Sequence, residues 1–392
     1  MNILMLAPEP FFQPRGTPIS VYLRIKALTD LGHNVDLVTY HLGEDKTMPG
    51  LTILRTPNLF GIRKIKIGPS LTKIPLDFLL VLKAAGRLVN NKYDLIFSHE
   101  EGALFGVILG RLWNIPHLYD MHSSLPQQLE NFNFSRSRLL KSVFMRMEKM
   151  ILRNSEGVIV ICPDLQKTVK ELGFGAKAVL LENIIEIDSS APDRDDVSRK
   201  RKELGLEGKK VVLYAGNFQP YQGIPLLLHA AAHISDPHVV FLMVGESPAA
   251  VRRTKETAVS LGIADRMVFT GQVPPGHMPL YLELADVLIS PRLSGTNTPL
   301  KIYSFLKTGK PVVATRLWTH TQILDDDIAV LVDPNPESMA AGLRFALFDP
   351  AGQSRARAAR EMAAREYTID RYREKIRLAL SKSQGDKESG VT

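Results

Sequence analysis

Short runs of β-branched and apolar residues alternate with stretches of helical period along nearly the whole chain. In the first half the strand-like runs cover residues 2–7, 35–40, 51–55, 95–98, 117–121 and 157–162, with amphipathic stretches such as 19–31 and 136–153 between them. That alternation predicts a buried parallel sheet flanked by helices. A polar break over residues 187–210, with the run SSAPDRDD, predicts a linker followed by a short helix. The alternation restarts at 211–215, 239–244, 267–270, 287–290, 311–314 and 329–332. The expected fold is α/β: two Rossmann-like doubly wound domains, residues 1–186 and 187–366. Residues 350–382 read as helical, the segment 367–382 is expected to rejoin the first domain, and 383–392 read as a disordered tail.

Composition narrows this picture without changing it. Of 392 residues 45% are hydrophobic and 23% charged, as in a globular protein with a proper core. The single cysteine, Cys162, excludes an internal disulfide and a cysteine-based zinc site, and fits a reducing cytosol. The opening MNILMLAPEPFF has no basic leader, and charges break every apolar run before the ~18 residues of a membrane span. A cytoplasmic protein is therefore expected, free of any spanning segment but open to peripheral contact at the inner face of the cell membrane. Net charge is +8, and residues 1–183 carry 22 Lys and Arg against 16 Asp and Glu. A basic half suggests an anionic partner: a phosphorylated substrate or a lipid surface. Without a zinc finger, an aromatic RNP-like strand or a basic zipper, no nucleic acid is expected.

Two stretches, 63–87 and 136–153, mix basic and apolar residues. In the second, Leu139, Leu140, Val143, Phe144, Met147, Met150 and Ile151 share one helical face, flanked by Arg138, Lys141, Arg146, Lys149 and Arg153. Such a helix either packs on the core with a solvated basic side or docks on an anionic membrane surface.

In an open parallel sheet, ligands bind beyond the carboxyl ends of the strands, where loops lead into helix N-termini. The first strand leads through EPFFQPRGTP, with Arg15 and Gly16, toward a helix near Ile19; this is an ordinary turn or an anion site. In the second domain Gly216 and Gly223 bracket the loop of YAGNFQPYQG, where Asn217 and Gln222 offer hydrogen bonds. The spacing is neither a Walker loop nor a dinucleotide fingerprint. The segment SPRLSGTNTPLKIYSFLKTGKPVVAT, residues 290–315, is richest. Ser294, Thr296, Asn297 and Thr298 stand beside a helix expected to begin near Pro299, with Arg292 and Lys301 flanking it. That grouping suits a diphosphate, the alternative being a capped helix with incidental cations. Gly309 reads as a helix C-cap.

From Met1 to about Leu380 the chain resembles glycosyltransferase family 4, retaining enzymes of the GT-B fold whose two domains face each other across a cleft. The resemblance is carried, in order, by MNILMLAPEP, RGTPISVY, LGHNVDLVTY, YDMHSSLPQQL, GVIVICPDL, YAGNFQPYQG, FLMVGE, MVFTGQV, ADVLISPR and GTNTPLKIYSFLKTGKPVVAT. It implies an acceptor-binding first domain and a nucleotide-sugar donor in the second. Gly16 and Thr17 would face the donor phosphates, His122 the donor sugar, and the segment Thr270–Val273 the nucleobase. Gly216, Glu246 and Gly295 would also line the donor site. The sequence departs from the family where it usually has an Arg and a Lys: Asn217 and Gln222 stand there. The two usual glutamates are also missing, their places falling at Thr296 and Ser304, or with the first at Ser294. Its YQG and TNTPLK loops mark a subgroup, with Arg292 and Lys301 replacing the lost charge.

A departing diphosphate must be neutralised by preorganised donors or cations. Asp193–Asp195 spells DxD in the charged linker and Asp325–Asp327 lies in a loop, so both are expected to be solvated. The expectation is a metal-independent retaining transferase with His122, Lys301 and Arg292 as catalytic groups and no cofactor. Its rivals are an epimerase or hydrolase of the same fold, and a non-catalytic subunit that binds nucleotide-sugars.

Overall fold

The computed structural model describes residues 1–13, 16–65, 70–127, 138–184 and 192–384. Arg15, parts of the stretches 63–87 and 136–153, the boundary at 186–187 and residues 385–392 of the tail lie outside the described residues. The chain divides into two units, Met1–Asn183 with Ile369–Thr392, and Ile184–Thr368.

Unit one holds β1 (Asn2–Ala7), β2 (Asn34–Thr39), β3 (Leu51–Arg55), β4 (Leu95–His99), β5 (His117–Met121), β6 (Gly157–Val160) and β7 (Ala178–Leu180). Its sheet runs β3-β2-β1-β4-β5-β6-β7, and the pairs are parallel. Unit two holds β8 (Lys210–Ala215), β9 (Val239–Val244), β10 (Met267–Gly271), β11 (Val287–Ser290), β12 (Val312–Thr315) and β13 (Val330–Val332). Its order is β10-β9-β8-β11-β12-β13, again parallel. Both are doubly wound Rossmann-like sheets.

Burial on both faces explains why the strands read as continuous apolar runs. In β8, Val211, Leu213 and Ala215 join one apolar cluster while Val212 and Tyr214 join another. Each fully buried aliphatic side chain contributes about 1.5–3 kcal/mol. The strand β7, only Ala178–Leu180, escaped the sequence reading because three residues set no period.

The helix after β1 is Gly16–Asp30, three residues earlier than expected, so Gly16 and Thr17 form its first turn. The amphipathic helix is Arg138–Asn154. Ile151 and Leu152 are buried, and Phe144, Met147 and Met150 pack on the core, whereas Leu139 and Val143 are exposed. Asp193 caps the linker helix Arg194–Glu203, its carboxylate accepting from the Asp195 N–H at 3.1 Å. Asp325 similarly accepts from the N–H of Asp327 at 3.0 Å.

The last helix, Ile369–Gln384, returns to unit one and carries residues 383 and 384 of the expected tail. Tyr372, Ile376, Ala379 and Leu380 are buried. Gly157 makes room for it, since a Cβ there would lie 3.2 Å from the Ala379 carbonyl and 2.9 Å from Leu118. Ion pairs Arg373–Asp30 at 2.7 Å and Lys375–Glu182 at 3.3 Å fasten its exposed side. Among the described residues no helix is long and apolar enough to cross a membrane.

Candidate functional site

A doubly wound sheet has one place where the strand order reverses, and loops leaving the strands there diverge to open a crevice. In unit two that place lies between β8 and β11, and in unit one between β1 and β4. The loops after β8 and β11 carry Gly216 to Gln222 and Arg292 to Thr298. They touch directly: the Leu293 N–H donates to the Tyr221 carbonyl at 2.8 Å. Gly223, at φ 73°, permits this, because a Cβ there would lie 1.9 Å from the Pro291 carbonyl oxygen.

The helix Leu300–Lys307 starts from Pro299 and buries Ile302, Tyr303, Phe305 and Leu306. That burial leaves Lys301 and Ser304, one turn apart, on another side. Lys301 Nζ is buried, 4.1 Å from the Tyr214 ring centroid, and a Cβ on Gly216 would lie 3.2 Å from it. It has no hydrogen-bond partner among the described residues. Burial, with the Arg292 charge nearby, pulls its pKa down to about 7. Thr298 Oγ1 and Gln222 Oε1 are likewise buried without partners. Buried polar atoms are nearly always satisfied, so three orphans on these adjoining loops and the helix that follows make this the candidate ligand site.

Arg292 has a different part. Its Nε donates to the Ser294 carbonyl at 2.8 Å and Nη1 to the Asn297 carbonyl at 3.2 Å, and its Cζ lies 5.1 Å from the Tyr221 ring centroid. Burial lowers its pKa. Gly295, at φ 125°, lets the loop wrap it, since a Cβ would lie 2.5 Å from Nη2. The Thr296 carbonyl accepts from Gln322 at 2.6 Å, and that of Asn297 from Thr319 at 2.7 Å. Two donor groups of Arg292 are thus spent shaping the loop, whereas Lys301, among the described residues, keeps a buried ammonium open to a ligand.

Other expected donor residues are engaged within the protein. Glu246, at φ 76°, accepts from the N–H groups of Phe218 at 2.7 Å and Ser247 at 2.8 Å. Burial would raise its pKa, but those bonds hold it lowered. Its carboxylate therefore staples the ends of β8 and β9. Asn217 Oδ1 accepts from the Gln219 N–H at 3.2 Å, and its carbonyl from the Tyr214 hydroxyl at 2.5 Å. Val273 packs against the core. Gly16 is exposed and Thr17 half-buried.

In unit one His122 follows β5, and its Nε2 lies 3.1 Å from Asp120 Oδ2. The same oxygen is 3.1 Å from His99 Nδ1 and accepts from Arg24 Nε at 3.0 Å. All four side chains are at most 4% exposed. Burial alone would raise the Asp120 carboxyl, but Arg24, His122 and His99 hold it well below the usual carboxylate range. Burial lowers the pKa of His99. Glu100, at φ 48°, has its carboxyl raised by burial and by Glu101, and accepts from the Ser123 hydroxyl at 3.0 Å.

Sequence reasoning singled out His122 and passed over its neighbours His99, Asp120 and Arg24, and Glu100 beside them. A faint signal existed: Asp120 and His122 are two apart, the first in β5 and the second just past its end, and the β4–β5 register sets His99 beside Asp120. His99, Asp120 and His122 have the donor atoms of a metal site. The Arg24 guanidinium on the shared oxygen already supplies the positive charge that an ion would bring.

The family description Glycosyltransferase Family 4 matches residues 14–189, and Glycosyl transferases group 1 matches residues 196–366. A D-inositol 3-phosphate glycosyltransferase of Acidothermus cellulolyticus is 24% identical over 378 residues, 86% of this chain and 78% of that protein. The 2-deoxystreptamine glucosyltransferase of Streptomyces kanamyceticus is 27% identical over 209 residues, 50% of this chain; the match spans about half, 53%, of that relative's length. Among solved structures, Anabaena HepE in complex with UDP aligns with a TM-score of 0.76 at 19% identity, over 97% of this chain and 99% of that one. Each family description falls almost wholly on one parallel-sheet unit and together they span most of the sequence, so the chain carries Glycosyltransferase Family 4 and Glycosyl transferases group 1 domains and is a glycosyltransferase of the GT-B fold.

Proposed function

We propose that the protein transfers a sugar from a nucleoside-diphosphate donor to a lipid-linked acceptor, with retained configuration and without a metal. The observation that carries the donor half is the buried, unpartnered Lys301 ammonium beside Gly216 at the switch point of unit two. A diphosphate would give it an anion, and Thr298 Oγ1 and Gln222 would gain hydrogen-bond partners. As the sugar bond breaks, charge grows on the leaving diphosphate, where Lys301 and the helix starting at Leu300 stabilise it. His122 is assigned to the transferred sugar. The Lys301 charge, with the N-terminus of the helix that carries it, stands in for the cation that metal-dependent transferases recruit. The structural neighbour crystallised with UDP supports a nucleotide donor.

The surface supports the acceptor half. On the helix Lys73–Asn90, Ile74, Phe78 and Leu82 recur every fourth residue and are more than half exposed. Ile74 and Phe78 line a groove of about 340 Å³ with Asp77, Val81 and Phe105. Leu112 of the adjoining helix Gly102–Trp113 is 71% exposed, and Arg63 and Lys64 are exposed nearby in sequence. Exposed apolar residues with exposed cations close by in sequence suit an anionic lipid surface.

The test is release of nucleoside diphosphate from UDP- and GDP-sugars, with and without anionic vesicles of membrane lipid extract, in excess EDTA. Release that rises with the vesicles is expected. No release from any donor overturns the transferase reading, abolition by EDTA overturns metal independence, and indifference to lipid overturns the acceptor. Equal turnover to free sugar without lipid would favour the hydrolase rival.

A further inference from the structure

Asp120 Oδ2 is a hub. Arg24 Nε, His99 Nδ1 and His122 Nε2 all lie 3.0–3.1 Å from this one oxygen, inside a site almost closed to solvent. For His122 Nε2 to rest 3.1 Å from a carboxylate oxygen it must carry a proton, which leaves Nδ1 as the ring nitrogen turned away from Asp120. Asp120 thus fixes both the ring orientation and the tautomer of His122.

Arg24 extends the arrangement. Its Nη2 donates to the Leu181 carbonyl at 3.1 Å, and its Nη1 to the Tyr372 hydroxyl. Leu181 lies two residues before the chain leaves unit one at Asn183, and Tyr372 three residues after it returns at Ile369. One buried guanidinium therefore touches the outgoing segment, the returning segment and the carboxylate that holds His122. Lys375 and Glu182, 3.3 Å apart, tie the same two segments at the surface.

We infer that Asp120 is the positioning residue for His122, and that Arg24 makes this positioning depend on the docked C-terminal helix through Tyr372. This rests on the reading of His122 as the group that meets the transferred sugar. Arg24 acts twice: it holds the carboxylate in place, and it keeps Asp120 ionised so that Oδ2 remains an acceptor. The C-terminal helix is then part of the machinery as well as part of the core.

The test reads the ring directly, in the full chain labelled with ¹⁵N-histidine, alongside donor-consumption kinetics. In the unsubstituted protein the His122 nitrogens should report the Nε2–H tautomer. Asp120→Ala removes the acceptor; it should redistribute the tautomer and lower kcat at least tenfold, with donor KM within about twofold. Asp120→Asn, which keeps a carbonyl acceptor, should recover part of both. Tyr372→Phe keeps the buried ring and should move the His122 signals and lower kcat several-fold, without a matching loss of Tm; it serves also if Asp120→Ala does not fold. An unchanged His122 tautomer in Asp120→Ala overturns the positioning role, and a silent Tyr372→Phe overturns the link to the helix. A moved tautomer with unchanged turnover upholds the positioning of the ring and removes His122 from the reaction, which separates this inference from the reading beneath it.

Discussion

Lys301 and Arg292 entered as a matched pair of cations, and their surroundings divide them. Arg292 is tied to the Ser294 and Asn297 carbonyls and shapes a loop, whereas Lys301 keeps a buried ammonium with no hydrogen-bond partner among the described residues. The sequence could supply the two residue types but not their partners, which depend on how a loop folds back on itself. A buried unpaired charge costs on the order of a few kcal/mol. Lys301→Met, similar in length and apolar, should therefore raise Tm by several degrees near neutral pH while weakening donor binding. The sign follows from a folded pKa of about 7 against an ordinary 10.5. Below about 7 both folded and unfolded chains carry the proton and the cost is complete; from there to 10.5 the folded chain has released it, and stability rises with pH. Thermal melts should show the Lys301→Met advantage largest below pH 7 and shrinking toward pH 10; a substitution that lowers Tm at pH 6.5 contradicts this.

Elements were far more legible than contacts. Runs buried on both faces announce themselves as apolar stretches, so twelve strands were placed within a residue or two at most ends, from residues 2–7 of β1 to 287–290 of β11. The start of the first helix was misplaced because Gly16 and Thr17 carry weak helix propensity and Pro18 suits a first turn. The crossing of the loops after β8 and β11 was marked only by two glycines, and the φ of 73° at Gly223 supplies the reason. Gly223→Ala would drive a Cβ into the Pro291 carbonyl at 1.9 Å and force the loops apart. We expect it to lower Tm by an amount equivalent to roughly 1–3 kcal/mol and to weaken nucleotide-sugar binding more than tenfold. Wild-type affinity in that variant would show that the loop crossing does not form the site.

For the whole molecule, the order of strands is what gives isolated residues a location. The switch points β8/β11 and β1/β4 gather groups that are distant in sequence, such as Gly216 with Lys301. His99 and Asp120 could be paired only once β4 and β5 were in register, and Arg24 only once the helix Gly16–Asp30 lay over them. The central claim is that Lys301 neutralises the donor diphosphate. Because its pKa is near 7 in the free protein, an anion that raises it must bring a proton with it. The most direct measurement is calorimetric titration of UDP-glucose and GDP-mannose into wild type and Lys301→Met at pH 7.5, in two buffers of different ionisation enthalpy. At least one donor should bind wild type with uptake of a fraction of a proton. It should bind Lys301→Met without uptake and about tenfold to a hundredfold more weakly, as loss of a charge-assisted hydrogen bond requires. Equal affinity in the two proteins, with no proton taken up by wild type, would contradict the account.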